Sequence, residues 1–133
     1  MDRSAALLLF ALLLGCSPQP PGPQPLTAEA KAYVRNLALS GVEMKATESY
    51  AKQVLTEIEG NITNNGNRTV ARVEVNCIFY DAYGQMVRRE REAIVRTSLA
   101  PGQTHRFRLA FDDIPESWNN RMPQLVIAQV LFG

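Results

Sequence analysis

Residues 60–84 read "GNITNNGNRTVARVEVNCIFYDAYG", and the fold turns on how this stretch alternates. From Ala71 the side chains run apolar, charged, apolar: Ala71, Val73, Val75, Cys77 and Phe79 fall on one face, Arg72, Glu74 and Asn76 on the other. A period of two is the pattern of a half-buried β-strand. Just upstream, Asn65-Gly66 is the dipeptide that supplies the positive φ angles of a two-residue hairpin, so residues 53–63 and 69–80 are expected to pair directly across it. Just downstream, Asp81-Ala82-Tyr83-Gly84 reads as a turn.

The same reading extends outward. Leu37 and Leu39, then Val42, Met44 and Ala46, alternate across Ser40-Gly41, where a bulge is expected. Strands are expected at 85–97, 103–111 and 124–132, with Ala100-Pro101-Gly102 as a type II turn ahead of the second. In 103–111, Phe107, Leu109 and Phe111 point inward and Arg106 and Arg108 outward. The last strand is apolar on both faces and reads as central, covered on both sides. One short helix is expected over 27–36, capped by Thr27, with Glu29 in its first turn and Ala30, Tyr33, Val34 and Leu37 on one face. Short strands at even spacing with little helix argue an all-β sandwich of six to seven strands.

The chain opens differently. Residues 5–14 are apolar but half the length of about 20 residues needed to span a bilayer, and small residues and Cys16 follow, as in an export signal. Residues 17–25 then hold five of the eight prolines, a composition that extends at about 3.1 Å per residue and would reach on the order of 30 Å. The domain plan is therefore a signal over 1–15, an anchor and linker over 16–26, and one folded domain over 27–133.

Two resemblances follow from these residues. Leu13-Leu14-Gly15-Cys16 resembles the lipobox of bacterial lipoproteins, although Leu14 stands where a small residue is usual. That resemblance implies cleavage before Cys16, acyl chains on Cys16 as the lipid attachment, and a membrane lipid as partner. Ser17 in place of the inner-membrane aspartate implies the outer membrane, facing the periplasm. Gly60, Asn64, Gly66, Tyr80, Asp81, Gly84, Leu99, Pro101, Gly102, Gln103 and Phe107 resemble the pattern of the FxLYD domain of envelope proteins, with Cys77 and Phe79 departing from its Phe and Leu. That resemblance implies an immunoglobulin-like sandwich and no established activity.

The chemistry carried by the chain is sparse. Lys plus Arg is 14 against 13 Asp plus Glu, a net +1 that gives no footprint for nucleic acid. His105 is the sole histidine, so no second imidazole exists to build a His-rich metal site. It is expected on a solvated edge. Asp112 and Asp113 are adjacent on extended chain and read as turn formers. Neither Cys16 nor Cys77 has a base nearby in sequence, which leaves nucleophilic catalysis without support. Asn61 and Asn67 fit a glycosylation pattern and are expected to be plain strand and turn residues. "RRERE" at 88–92 suits an edge strand that resists sheet-to-sheet pairing. Trp118, in the long loop 112–124, is expected either to seal the end of the core or to face a ligand. The expectation is a non-enzymatic, cofactor-free, lipid-anchored envelope module with a protein partner. The alternative is a periplasmic small-ligand binder using the open end near Trp118.

Overall fold

The computed structural model describes residues 24–48 and 54–133. The signal, Cys16 and all of the proline tract but Gln24-Pro25 lie outside the described residues. A helix α1 (Ala28–Tyr33) runs into a 3-10 turn (Val34–Asn36) and then six strands: β1 (Leu37–Glu48), β2 (Val54–Asn64), β3 (Val70–Tyr80), β4 (Met86–Val95), β5 (Thr104–Phe111) and β6 (Gln124–Phe132). They form two antiparallel three-stranded sheets, ordered β1-β2-β5 and β4-β3-β6. The all-β sandwich read from the alternation is what the chain forms.

Local signals hold where the physics is local. Thr27 Oγ1 accepts the Ala30 N–H at 3.1 Å and caps α1, whose buried face carries Ala30 and Tyr33. The β1–β2 register shifts between Ser40 and Glu43, and Gly41 takes φ 58°. Gly102 takes φ 80°, and the Gln103 N–H reaches the Ala100 carbonyl at 3.0 Å, which makes the expected type II turn at Pro101-Gly102. Val73, Val75, Cys77 and Phe79 are fully buried between the sheets, opposed by Ile58, Phe107, Leu109 and Phe111 of the other sheet's inner face. Ala71 sits in a register shift between Val70 and Arg72, so Val70 rather than Ala71 is the inward residue at the start of β3.

The Asn65-Gly66 hairpin does not form. β2 and β3 lie in different sheets, and Gly66 is absent from the positive-φ glycines, which are Gly41, Gly84 and Gly102. The turn carries the chain from one sheet across to the other, and Asn64 makes the crossing possible. Its buried side chain accepts the Tyr33 hydroxyl at 2.7 Å and the Gly66 N–H at 3.1 Å, and donates to the carbonyls of Arg68 at 2.7 Å and Leu99 at 3.0 Å. All four hydrogen-bonding sites of that amide are taken, by the helix, the crossing turn and the segment after β4. Gly66 is needed for space: a Cβ there would come within 2.2 Å of the Tyr33 hydroxyl.

β6 is also placed differently from its reading. It is an edge strand beside β3, not a central one, and Val126 and Leu131 on its outer face are 40% and 47% exposed. Its apolar character is used at its C-terminal end instead. The Tyr33 ring meets Phe132 edge to face at 5.3 Å, and the Arg68 guanidinium lies 3.6 Å above the same ring. The helix thus covers one end of β6.

β4 is an edge, as its charges suggest. Its pairing with β3 sets Arg88 opposite Phe79, Glu90 opposite Cys77 and Glu92 opposite Val75, so these charges lean toward the open side of the sandwich, a device that blocks strand addition. Arg88 and Glu90 pair at 2.7 Å. On the outer face Glu74 receives Arg72 and Arg91, each at 2.7 Å, and these guanidinium hydrogen bonds hold its carboxyl below the ordinary range.

Replacing Asn64 by Ala strands the Gly66 N–H and the carbonyls of Arg68 and Leu99 in a buried site. The expected loss is on the order of 3 kcal/mol in urea unfolding. Gly66→Ala should destabilise as well, through the Tyr33 clash, and pairing it with Tyr33→Phe should recover part of that loss. Full wild-type stability in Asn64→Ala would contradict this account of the crossing.

Candidate functional site

The two sheets close on different structures at their two ends. At the end away from α1, the turn 81–84 and the loop 112–123 meet. Asp81 Oδ1 accepts the N–H groups of Tyr83 at 2.8 Å and Gln85 at 2.9 Å, and Gly84 takes φ 80°, so the turn forms as its residues suggest. The loop is fastened to it. The Asn119 N–H donates to the Tyr80 carbonyl at 2.9 Å, Asp81 and Trp118 form a β-bridge, and Arg88 donates to the Asp112 carbonyl at 2.6 Å.

Trp118 packs on the core and borders a cavity. Its ring is half-buried and meets Phe79 edge to face at 5.6 Å, Phe79 in turn meeting Phe111 at 5.2 Å, so it closes the end of the core. Its indole N–H is spent on the Arg121 carbonyl at 3.2 Å. It also walls a cavity of about 260 Å³ with Val54, Thr56, Asp113, Ile114, Glu116 and Asn120. Asp113 at φ 51° and Asn120 at φ 62° are the non-glycine residues in left-handed backbone among the described residues, and both line this cavity. Aspartate and asparagine tolerate that region best among side chains that carry a Cβ. An apolar wall with two carboxylates beside it suits a small ligand with an apolar body and a cationic or hydrogen-bonding end.

The remaining sequence candidates are dispersed. His105 is exposed on β5, an edge strand, next to the turn at Pro101-Gly102, as read. Asp112 and Asp113 are exposed and lie in the bend after β5, with Asp113 turned to the cavity. Asn61 lies on β2 and Asn67 in the crossing turn. Among the described residues no three His, Cys, Asp or Glu side chains gather to hold a metal ion, and no helix is long and apolar enough to cross a membrane.

Cys77 is fully buried at the centre of β3 and makes no disulfide. Burial, reinforced by the nearby carboxylates of Glu92 and Glu90, pushes its thiol up to about 12. A thiol so far from ionisation is a small hydrophobe and not a nucleophile.

Of the cavity wall, the sequence points to Trp118 as a binding candidate and to Asp113 only as a turn former. Val54 and Thr56 carry no local signal for it, because they come beside the loop after β5 only when β2 pairs with β5.

No protein-family model matches the chain, and no curated protein matches it. Among solved structures it is similar to a Northeast Structural Genomics target designated SoR45, with 13% identity, a TM-score of 0.47, and 73% of this chain covering 84% of that one. It is also similar to a Bordetella pertussis protein assigned only provisionally as ApaA, with 18% identity, a TM-score of 0.45, and 72% of this chain covering 90% of that one. Likenesses at this level carry no argument about function.

The burial of Cys77 makes a direct prediction. Labelling by a thiol reagent in the folded protein should proceed only through unfolding. Cys77→Val should cost less than about 1.5 kcal/mol, whereas Cys77→Asp should prevent folding by burying an unpaired charge. Rapid native labelling would show the β3 register to be wrong.

Proposed function

We propose that this chain is a lipid-anchored cell-envelope protein whose immunoglobulin-like sandwich of the FxLYD kind serves as an interaction or structural module, without catalytic chemistry of its own. The observation that carries this reading is the order of parts along the chain: a short apolar run, Leu13-Leu14-Gly15-Cys16, a proline tract, and then a folded domain. An anchor followed by an extended spacer is the arrangement that presents a domain at a set distance from a membrane. Support at the receiving end comes from Gln24, whose carbonyl accepts Arg91 at 3.3 Å, so the linker is fastened as it meets the sheet. Ser17 in place of an inner-membrane aspartate supports an anchor in the outer membrane with the domain facing the periplasm, and an envelope protein is its expected partner. Cys16→Ser should leave a precursor that keeps residues 1–15 and lacks acyl chains, read by mass spectrometry of the membrane fraction. Normally processed mutant chains would overturn the anchor.

A second reading has its own observation, the cavity beside Trp118. In it the domain binds a small periplasmic ligand at the end away from the helix. Because Trp118 is the sole tryptophan, its fluorescence reports on the wall directly. Ligands with an apolar body and an amine should quench or shift it saturably, and Ile114→Phe, which fills the space without adding a second indole, should abolish that response. A response unchanged by Ile114→Phe would place binding elsewhere.

A further inference from the structure

The two ends of the sandwich carry opposite charge. At the end away from the helix stand Asp81, Asp112, Asp113 and Glu116, with Arg88, Arg89 and Arg121 among them. At the helix end stand Lys31, Arg35, Arg68 and Arg96, with Glu29 as the carboxylate among them, and Glu29 is taken by Arg68. Lys31, Arg35 and Arg96 are exposed and make no salt bridge among the described residues.

At this same end a groove of about 350 Å³ lies between the free edges of β4 and β5. Ile94 and Phe107 border it, Arg96, His105, Arg106 and Arg108 complete its charge, and no carboxylate lines it. Arg106 and Arg108 are partly neutralised by Glu59 and Glu57 on β2. Among the described residues Arg96 and His105 are therefore its donors without a carboxylate partner.

The tether meets the domain on the outer face of the β4-β3-β6 sheet, where the Gln24 carbonyl accepts Arg91 of mid-β4, and it runs from there past Arg72 and Leu131 into α1 at the helix end. Only seven residues lie between Cys16 and Gln24, eight steps that at about 3.1 Å each limit the reach of the tether to roughly 25 Å. A basic surface held that close to a bilayer meets headgroups at high effective concentration, so contacts too weak to bind a free protein suffice.

We propose that the helix end of the sandwich, through Lys31, Arg35, Arg96 and His105, docks on the anionic phospholipid headgroups of the membrane that holds the anchor. The proposal rests on the lipid-anchor reading. Docking there turns the Trp118 cavity outward, away from the bilayer. The field of a charged surface is felt within a Debye length, about 8 Å at physiological salt, so only this end is held.

The test uses the mature lipidated chain in vesicles of phosphatidylcholine alone or mixed with phosphatidylglycerol. The readout is the rate at which diethyl pyrocarbonate modifies His105, the sole imidazole in the chain. Modification should be about fivefold slower on the phosphatidylglycerol vesicles at low salt. The difference should vanish at about 1 M salt, where the Debye length is about 3 Å, and in the double variant Arg35→Ala, Arg96→Ala. Both positions are exposed, and an unreactive Cys77 in that variant certifies that it is folded. If the chain floats with both vesicle types and His105 reacts equally on each, docking is wrong and the anchor stands. If it floats with neither, the anchor reading and docking both fall.

Discussion

The side-chain amide of Asn64 is the joint through which the helix, both sheets and two turns are connected. Its oxygen receives Tyr33 from the helix and Gly66 from the crossing turn, and its nitrogen holds the carbonyls of Arg68 and Leu99. Its own backbone is engaged as well: the N–H donates to Gln103 at 3.0 Å and the carbonyl accepts Gly102 at 2.6 Å. A buried polar group left short of partners costs 1–3 kcal/mol or more, so an amide with this many satisfied contacts defines one arrangement of the surrounding backbone and penalises others. Tyr33 repeats the logic, since its hydroxyl donates to Asn64 and accepts the Arg68 N–H at 3.1 Å.

That joint gives the molecule two unlike ends. The helix end is closed by hydrogen bonds, by the edge-to-face contact of Tyr33 with Phe132 and by Arg68 over the same ring. The other end is closed by aromatic contact, Trp118 on Phe79 on Phe111, under a loop whose backbone takes two left-handed residues. A loop fastened at its margins but spanning a cavity is the kind of place where a rigid sandwich offers binding surface. Two of the edge strands carry charge that opposes pairing with other chains: Arg88, Glu90 and Glu92 on β4, Arg106 and Arg108 on β5.

The candidate site was legible in part. Trp118 stands out because it is the only tryptophan and sits in a loop too long for a hairpin, and both are properties of the local sequence. Thr56 and Val54 could not be read as its neighbours, because they lie some sixty residues upstream on β2 and come beside the loop only through the pairing of β2 with β5. Likewise Asn64 and Gly66 were visible as a conspicuous pattern, but their use in a crossing rather than a hairpin depends on Tyr33, which lies 31 residues from Asn64.

What the sequence by itself determined is what short-range sterics and alternation control: the strand set, the cap at Thr27, the bulge at Gly41, the turn at Pro101-Gly102, and which face of β3 and β5 is buried. Alternation reports the side that faces the core and is silent about which strand lies alongside. Tertiary structure alone decided that β2 leaves its neighbour in sequence for β5, that β6 is an edge despite its apolar text, and that Trp118 shares a cavity with the start of β2. Those outcomes are set by long-range partners, the Asn64 amide, the Phe132 ring and the packing of two inner faces, whose energies appear only when distant segments meet.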